Sequence, residues 1–392
     1  AHDTAIVHSD WVYNVTFRDN LYICDKNGEL SLHFFDNPTD DCDWKLLSDL
    51  RADEKIADAL NARIKQKMTM VIENPEAAYP DVDSAWAKFM DIFIFITPML
   101  TYRPVYEDHY YQGLKELYED NVFYLELRST LPPLYELDGT TYDPVEVVGI
   151  YQKVTKRFKD DHPDFIGAKI SYAPIRIMAP SELPKFTAEA LEMKRLYPNF
   201  FGGFDLVGQE DKGNTLKSFA EKLNPIKNSI NLFFHAGETN WYGTSTDDNL
   251  IDAVLLNAKR IGHGYAVVKH PEVLDYVKKN KIALEICPIS NQVLGLVKDL
   301  RNHPASVLFA EGVPVVVSMD DPGLWGSRAL SYDFYEAFMG IMSRKADIRA
   351  LKQLALNSII YSSLSNNEKI QALHMFETKW ASAIDQLNNG TL

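Results

Sequence analysis

The chain has 392 residues, of which 46% are hydrophobic, and its formal net charge is −15. This length and apolar content suit one barrel-sized domain with an insertion, and no apolar run approaches the roughly 18 residues of a membrane-spanning helix. The negative charge, with no run rich in Lys or Arg, argues against nucleic acid and anionic membranes as partners, whereas a small neutral or cationic substrate remains compatible.

The chain begins with AHDTAIVHSDWV, in which His2 and Asp3 precede any complete strand. We therefore expect residues 1–14 to be the start of a barrel whose first strand is truncated. Residues 15–70 are predicted to be an insertion, because alternating residues surround a turn at Asn27 and Gly28 and a polar helix follows. The insertion carries no catalytic motif, so its predicted role is an external contact or a cover.

Cysteines and glycosylation motifs bear on the compartment. Cys24 and Cys42 lie among polar and turn residues, whereas Cys287 lies in the apolar run IALEICP. We predict a disulfide between Cys24 and Cys42 and a buried thiol at Cys287, with three unrelated free thiols as the alternative. Asn14 and Asn389 each begin a glycosylation triplet. Together these features favour a secreted, extracellular protein.

From Ala85 the pattern is helical, and beyond the Tyr-rich residues 106–118 strands and helices alternate. Seven strands and one truncated strand make eight, and repeated βα units predict an α/β fold, a (β/α)8 TIM-type barrel in residues 71–392. An open doubly wound sheet is the alternative, but no Gly-rich phosphate loop follows the first strand. The predicted strands are 122–127, 166–172, 202–206, 232–235, 260–262, 282–286 and 313–318, and the predicted helices are 181–196, 215–223, 249–258, 271–279 and 305–311.

Three of these strands end in groups that bind metals or move protons. His235 and Glu238 follow LFF, His263 follows RIG, and Asp320 follows VPVVVSM. Active sites of such barrels lie at the C-terminal ends of the strands. Zinc accepts imidazole and carboxylate ligands, so His2, His235 and Asp320 are predicted to bind one metal ion, with Glu238 and His263 as proton carriers.

The segments FDLVG, HAGET, RIGHG and SMDDP, in this order and spacing, resemble the adenosine deaminases. The insertion, the glycosylation triplets and the stretches SNQVL and LSYDFYEAFMGI resemble the secreted adenosine deaminase-related growth factors (adenosine deaminase 2 type). The resemblance covers nearly the whole chain. It implies a hydrolase with one Zn2+ per chain that converts adenosine or 2′-deoxyadenosine to inosine or 2′-deoxyinosine and ammonia. It also implies growth-factor-like activity, a receptor or glycan bound through residues 15–70, and a homodimer whose N-terminal segment is absent here.

The resemblance also assigns roles to single residues. Zinc would be bound by His2, His235 and Asp320, although the family has His-x-His in the first strand and only the second His is present. Glu238 would protonate the purine ring nitrogen beside the attacked carbon, which requires a raised pKa, and His263 would orient or deprotonate the attacking water. The substrate-binding candidates are Asp321, the backbone N–H of Gly208, Trp86 (equally well an ordinary core aromatic), Trp241 and Asp3.

Two other functions stay open. Another amidohydrolase of the same barrel would share the metal ligands but lack the pair Asp320 and Asp321 together with Gly208. A signalling protein with a decayed site, acting through residues 15–70, would bind no zinc and deaminate nothing. The remaining histidines are predicted to be surface or structural residues: His8, His33, His109, His162, His270, His303 and His374.

Overall fold

The computed structural model of the protein describes residues 1–391, and its N-terminal part is a small antiparallel sheet with three helices. Helix α1 (Ser9–Val15) precedes β1 (Leu21–Lys26), β2 (Glu29–Phe34) and β3 (Lys45–Leu46), which lie in the order β2-β1-β3. Asn27 and Gly28 have φ of 57° and 92°, as a two-residue hairpin turn requires. Helices α2 (Leu47–Ala52) and α3 (Glu54–Lys67) follow. The predicted hairpin and polar helix are both present.

The predicted disulfide staples this sheet. Cys24 on β1 is bonded to Cys42 in the loop before β3, which confirms the pairing, and Cys287 is a buried free thiol. Asn14, near the end of α1, is exposed, and so is Asn389 near the C-terminus. Both acceptor side chains are therefore accessible, and their glycosylation stays a prediction.

A long apolar helix lies between the small sheet and the barrel. The segment contains α4 (Pro75–Ala78), α5 (Val82–Leu100) and α6 (Arg103–Glu119). The Asp81 side chain accepts from the Ser84 backbone N–H while the Ser84 hydroxyl bonds back to the backbone of Asp81, so α5 begins with a capping box. Leu32 and Phe34 of β2 share a buried apolar cluster with Phe95 of α5. In residues 1–391 no helix is long and apolar enough to cross a membrane.

Seven named parallel strands form most of the barrel wall in the described residues. In chain order the strands are β4 (Tyr124–Ser129), β5 (Leu134–Tyr135), β6 (Thr141–Tyr142), β7 (Gly167–Tyr172), β8 (Phe201–Phe204), β9 (His235–Ala236), β10 (Arg260–His263), β11 (Ala283–Ile286) and β12 (Val315–Val317). Strands β4-β7-β8 and strands β9-β10-β11-β12 are two runs of parallel neighbours. Between β4 and β7 in the chain, β5 and β6 form a separate antiparallel hairpin.

The N-terminal residues close the barrel. The Arg128 backbone N–H donates to the carbonyl of Ala1 at 2.9 Å, and the backbone N–H of His2 donates to the carbonyl of Asp320 at 3.2 Å. Residues 1 and 2 thus lie between β4 and the end of β12 as an eighth strand position. On the other side, Phe204 of β8 pairs in parallel with Leu232. The predicted TIM-type barrel is confirmed.

Helices cover the outside of the barrel, close to where the periodicity predicts them. They are α7 (Pro144–Asp161), α8 (Leu183–Leu196), α9 (Leu216–Leu223), α10 (Asn249–Leu255), α11 (Pro271–Lys279), α12 (Pro288–Val293), α13 (Ala305–Glu311), α14 (Leu330–Glu336), α15 (Ile348–Ile360) and α16 (Asn366–Asn389). The predicted helices 271–279 and 305–311 coincide with α11 and α13. The remaining predicted helices agree to within about one turn.

Strand β9 is shorter and later than predicted. The sequence predicts residues 232–235, whereas regular pairing begins only at His235. The carbonyl of Phe233 accepts a hydrogen bond from the Arg128 side chain at 2.9 Å instead of pairing within the sheet. A Cβ on Gly203 would lie 2.5 Å from the carbonyl of Asn231, so the two backbones meet more closely there than side chains permit.

Paired charges occupy the barrel interior beneath the strand ends. Arg128 contacts Asp205 at 2.6 Å and Glu285 at 2.8 Å, and Arg260 contacts Glu285 at 2.7 Å and Glu126 at 2.5 Å. Burying a charge is costly unless it is paired and hydrogen-bonded, as these charges are. The network links β4, β10 and β11, and through Asp205 it reaches the floor of the candidate site.

Candidate active site

The three predicted metal ligands converge at the C-terminal end of the barrel. His2 Nε2 lies 3.2 Å from Asp320 Oδ1, and the ring centroids of His2 and His235 are 5.3 Å apart. One donor atom from each of the three lies within 4.8 Å of the others. Two imidazoles and a carboxylate at this separation match the ligands of a catalytic zinc, so the residues present fit that ion.

Asp205 fixes the orientation of His235. Its Oδ2 lies 2.6 Å from His235 Nδ1, and its Oδ1 accepts the His235 backbone N–H at 2.8 Å. Burial pushes the pKa of Asp205 up, but His235 and Arg128 hold it well below its usual range, so the group is a carboxylate. The carboxylate keeps the imidazole proton on Nδ1 and leaves Nε2 to bind a metal. Asp205 belongs to the FDLVG segment, but its role was not among the predictions.

His263 lies between the predicted metal ligands and Glu238. Its Nε2 is 3.8 Å from Asp320 Oδ2 and 3.5 Å from Glu238 Oε1. His263 and Asp320 have φ of 57° and 56°, in the left-handed region that residues other than glycine rarely adopt. Such strained backbones cluster at functional sites. His263 is the last residue of β10 and Asp320 lies three residues beyond β12, and both side chains line the cavity above the barrel.

Glu238 has the properties of a proton donor. It is 5% exposed, and its Oε1 has no hydrogen-bond partner within the part of the chain described. Burial, together with the negative charges of Asp320 and Glu210, raises the pKa of Glu238 well above its usual value. A neutral carboxyl group at neutral pH can donate a proton. The sequence predicts a raised pKa for Glu238 because a proton donor requires one, and the structure agrees.

Glu210 holds the backbone that carries Glu238. Its two carboxylate oxygens accept the backbone N–H groups of Gly237 at 3.0 Å and of Glu238 at 2.7 Å, and the Asn249 side chain also donates to it at 2.7 Å. Arg176 donates to the His235 carbonyl at 2.6 Å and lies 3.8 Å from Glu210. The sequence does not predict roles for Glu210 and Arg176, because no motif identifies side chains that hydrogen-bond to the backbone.

Asp321 and Gly208 both border the same cavity. Asp321 Oδ1 is buried and has no hydrogen-bond partner in residues 1–391. Burial and the neighbouring Asp320 raise the pKa of Asp321 to about 8. Gly208 has φ of 101°, and a Cβ there would lie 3.2 Å from Ile175, so glycine suits this position. A polar heterocycle can use both groups as partners.

The cavity has a volume of about 580 Å³ and opens from the predicted metal ligands towards α5. Its far wall is apolar and includes Trp86, which is buried and packs edge to face against Phe89 at 5.2 Å. The insertion contributes His33 to the lining. A small polar floor under an apolar wall is the usual composition of a pocket for a small organic molecule.

The structure places the two remaining substrate-binding candidates, Trp241 and Asp3, in different surroundings. Trp241 is 61% exposed and is not part of the cavity lining, because it lies in the loop after β9 that runs outwards. Asp3 borders the cavity, but its Oδ2 already accepts hydrogen bonds from the hydroxyls of Tyr106, Ser129 and Tyr151 at 2.6 to 2.9 Å. Asp3 therefore anchors the first residues of the chain rather than offering that oxygen to a ligand.

Comparisons with known proteins agree with this geometry. The family model described as adenosine deaminase matches residues 56–378. An adenosine deaminase of Lutzomyia longipalpis is 51% identical over 99% of this chain and 77% of its own length, and adenosine deaminase 2 of Homo sapiens is 44% identical over 97% and 76%. Adenine deaminase of Arthrobacter aurescens has a similar structure, with a TM-score of 0.68, 19% identity and 97% of each chain covered.

Proposed function

The chain belongs to the adenosine deaminase family, and we propose that it hydrolyses adenosine and 2′-deoxyadenosine to inosine or 2′-deoxyinosine and ammonia, using one zinc ion. The observation that carries the proposal is the unpartnered Oε1 of Glu238, which faces the group formed by His2, His235, His263 and Asp320 across one cavity. A proton donor opposite a metal-binding group is what hydrolytic loss of an aromatic amine requires.

The donor set favours zinc. His2, His235 and Asp320 offer nitrogen and oxygen donors, and three protein ligands with one open position are typical of catalytic zinc. When bound, zinc supplies a water molecule with a pKa lowered to about 7, and hence a nucleophile at neutral pH. Asp205 supports this arrangement by holding His235 with Nε2 directed towards the other ligands.

Glu238 supplies the acid. Adding oxygen to a purine carbon disrupts an aromatic ring, and the barrier falls when the adjacent ring nitrogen gains a proton as the nucleophile arrives. Because burial keeps the Glu238 carboxyl protonated, it can give that proton to the ring nitrogen. The negative charge that would otherwise develop on the ring is thereby neutralised. Nε2 of His263 lies 3.5 Å from Glu238 Oε1, and His263 is therefore proposed to contact the attacking oxygen.

Asp321 and Gly208 orient the ring. Burial and the neighbouring Asp320 raise the pKa of Asp321, so its carboxyl can carry a proton and donate it in a hydrogen bond to a nitrogen on the imidazole side of a purine. The backbone N–H of Gly208 is proposed to meet the opposite ring nitrogen. Two polar contacts at opposite edges fix the ring in its plane, which brings the amino-bearing carbon near the metal ligands. Trp86 and Phe89 cover the remaining apolar surface of the nucleoside and exclude bulk water.

We further propose that the protein acts outside the cell, with growth-factor-like activity. A disulfide persists in oxidising compartments, and both Asn14 and Asn389 are accessible for glycosylation. Residues 15–70 pack mainly in a cluster of their own with α5, which leaves an outer face for a receptor or a glycan. A homodimer is also proposed, by analogy with the family.

The experiment is an ultraviolet assay of adenosine and of 2′-deoxyadenosine with the zinc-loaded protein, with separate detection of ammonia. Loss of the adenosine absorbance and release of one ammonia per inosine is the expected result. A zinc-loaded protein that leaves both nucleosides intact would overturn the proposed activity. Deamination of a different amine with no action on adenosine would favour another amidohydrolase of the same barrel.

A further inference from the structure

A buried chain of hydrogen bonds contacts His263 from the side opposite Glu238. Nδ1 of His263 lies 3.3 Å from Nδ2 of Asn291, and Oδ1 of Asn291 lies 2.9 Å from Nε2 of His303. Nδ1 of His303 accepts the backbone N–H of Ala305 at 3.0 Å. Asn291 and His303 are completely buried. The chain therefore connects an imidazole in the active site to the first residue of α13.

The direction of every hydrogen bond in this chain follows from its last member. A backbone N–H can only donate, so Nδ1 of His303 must accept. Burial lowers the pKa of His303 to about 4, and its neutral ring then carries its proton on Nε2. That proton is donated to Oδ1 of Asn291, which leaves the amide NH2 of Asn291 facing His263.

The NH2 of Asn291 can only donate, and therefore Nδ1 of His263 accepts. A neutral imidazole that accepts at Nδ1 carries its proton on Nε2. The carboxylate of Asp320 agrees with this, since its Oδ2 lies 3.8 Å from Nε2 and can only accept. The opposite orientation of the Asn291 amide would place two donors face to face at His303 and leave both buried groups unpaired, which is unfavourable.

We propose that Asn291 and His303 are positioning residues that hold His263 in the tautomer with its proton on Nε2. His263 then enters the reaction as a hydrogen-bond donor to the attacking oxygen, which decides between the two roles, orienting and deprotonating, that the sequence leaves open. The identity of that oxygen rests on the proposed function, whereas the tautomer itself does not. Asn291 lies in the SNQVL segment. Its backbone carbonyl accepts hydrogen bonds from the backbone N–H groups of Leu296 and Val297, and these bonds hold the residue in place.

The tautomer is measured directly by nitrogen NMR on the zinc-loaded protein labelled with 15N histidine. The signals of His263 are identified by their loss in His263→Ala. Coupling of each ring nitrogen to the carbon-bound ring protons distinguishes Nε2 from Nδ1, and the chemical shift says which one carries the proton. We expect a protonated Nε2 and a bare Nδ1 in the wild-type protein. A proton on Nδ1 would overturn the proposal.

Two sets of variants test whether the chain causes the tautomer. In Asn291→Asp a carboxylate oxygen faces Nδ1, so the proton of His263 should move to Nδ1, and kcat should fall on the order of 10-fold to 100-fold with little change in KM. His303→Gln retains a donor near the position of Nε2 and should keep the wild-type tautomer. His303→Leu removes the donor and should give mixed tautomers. The two His303 variants test the hydrogen-bond chain even if Asn291→Asp does not fold.

An unchanged tautomer in both Asn291→Asp and His303→Leu would show that other contacts set the proton position, and the inference would be lost. A wild-type protein with the proton on Nε2 that fails to deaminate adenosine would count against the proposed function while supporting the hydrogen-bond chain. The tautomer of His263 and the deaminase activity are therefore tested by different measurements.

Discussion

Asp205 Oδ2 accepts a hydrogen bond from His235 Nδ1 at 2.6 Å, and the same oxygen lies 2.6 Å from Nε of Arg128. A buried carboxylate thus joins a predicted metal ligand to the charge network inside the barrel. The arrangement means that metal affinity depends on a residue that does not touch the metal. It also links the binding site to the residues that stabilise the barrel.

Replacing Asp205 tests this dependence. Asp205→Asn should weaken metal binding about 10-fold to 100-fold, because the amide no longer fixes the His235 tautomer with a full negative charge. Competition with a chelator measures the affinity. Asp247→Asn is the matched control, since Asp247 also pairs with a histidine, His270, at 2.7 Å but outside the cavity. Equal affinities in the Asp205→Asn and wild-type proteins would contradict the assigned role.

Glu238→Gln tests the proton donor. The amide keeps the shape of the side chain but has no acidic proton, so kcat should fall roughly 100-fold or more while zinc content stays the same. Steady-state kinetics with adenosine give the result, and Glu189→Gln, which alters a carboxylate paired with Tyr172, is the control. Turnover at the wild-type rate would remove Glu238 from its role as the acid.

The activity should also depend on pH through Glu238. Burial, Asp320 and Glu210 raise the pKa of this group, and the reaction needs its protonated form. The active form is therefore present below the raised pKa and is lost as the pH rises through it. A profile of kcat against pH should show a falling alkaline limb, and that limb should be absent from the residual activity of Glu238→Gln. A limb of the same pKa in the variant would assign it to another group.

The charge network should govern acid stability. Burial alone would raise the pKa of Glu285, but Arg128 and Arg260 hold it at about 2, below its usual 4.5. Because the pKa of Glu285 is lower in the folded protein than in the unfolded chain, the ionised side chain stabilises the folded state above about pH 4.5. This stabilisation is lost as the pH falls from about 4.5 to 2. The contribution is on the order of 3 kcal/mol. Urea unfolding of Glu285→Gln should show lower stability at pH 7 and a flatter acid dependence, with exposed Glu119→Gln as control.

The disulfide should stabilise the insertion without affecting the metal site. Cys24 and Cys42 are separated by 18 residues, and closing a loop of that length contributes about 3 kcal/mol in the chain-entropy model. In the double variant Cys24→Ser and Cys42→Ser, hydrogen exchange should rise in β1 and β2 while zinc content remains at the wild-type level. Loss of zinc with the disulfide would mean that the insertion and the barrel do not unfold separately.

Much of the fold and part of the candidate site can be predicted from the sequence. Alternating βα units predict the barrel, and strand ends predict His235, His263 and Asp320, since the topology places all such ends at one edge. Local patterns cannot report contacts between distant segments. Glu210 is therefore not predicted from the sequence, since its role is to accept the backbone N–H groups of Gly237 and Glu238. The direction of the loop carrying Trp241 is likewise set by tertiary packing, so this tryptophan is exposed and outside the cavity lining although it lies close to the HAGET motif.

The role assigned to His303 illustrates the same limit. The sequence, in which it lies outside every motif, predicts a surface or structural residue, and in the fold it is completely buried. Its hydrogen bonds to Asn291 and Ala305 nevertheless connect it to His263. Residues separated along the chain acquire a shared function only through the geometry of the barrel.

His2, His235 and Asp320 are proposed to bind one divalent ion beside Glu238. Anomalous diffraction from crystals of the zinc-loaded protein, recorded above and below the zinc absorption edge, locates the ion directly. We predict a single strong peak per chain within coordination distance of those three side chains, on the cavity side facing Glu238. No peak there, or a peak beside other residues, would contradict the proposed metal site.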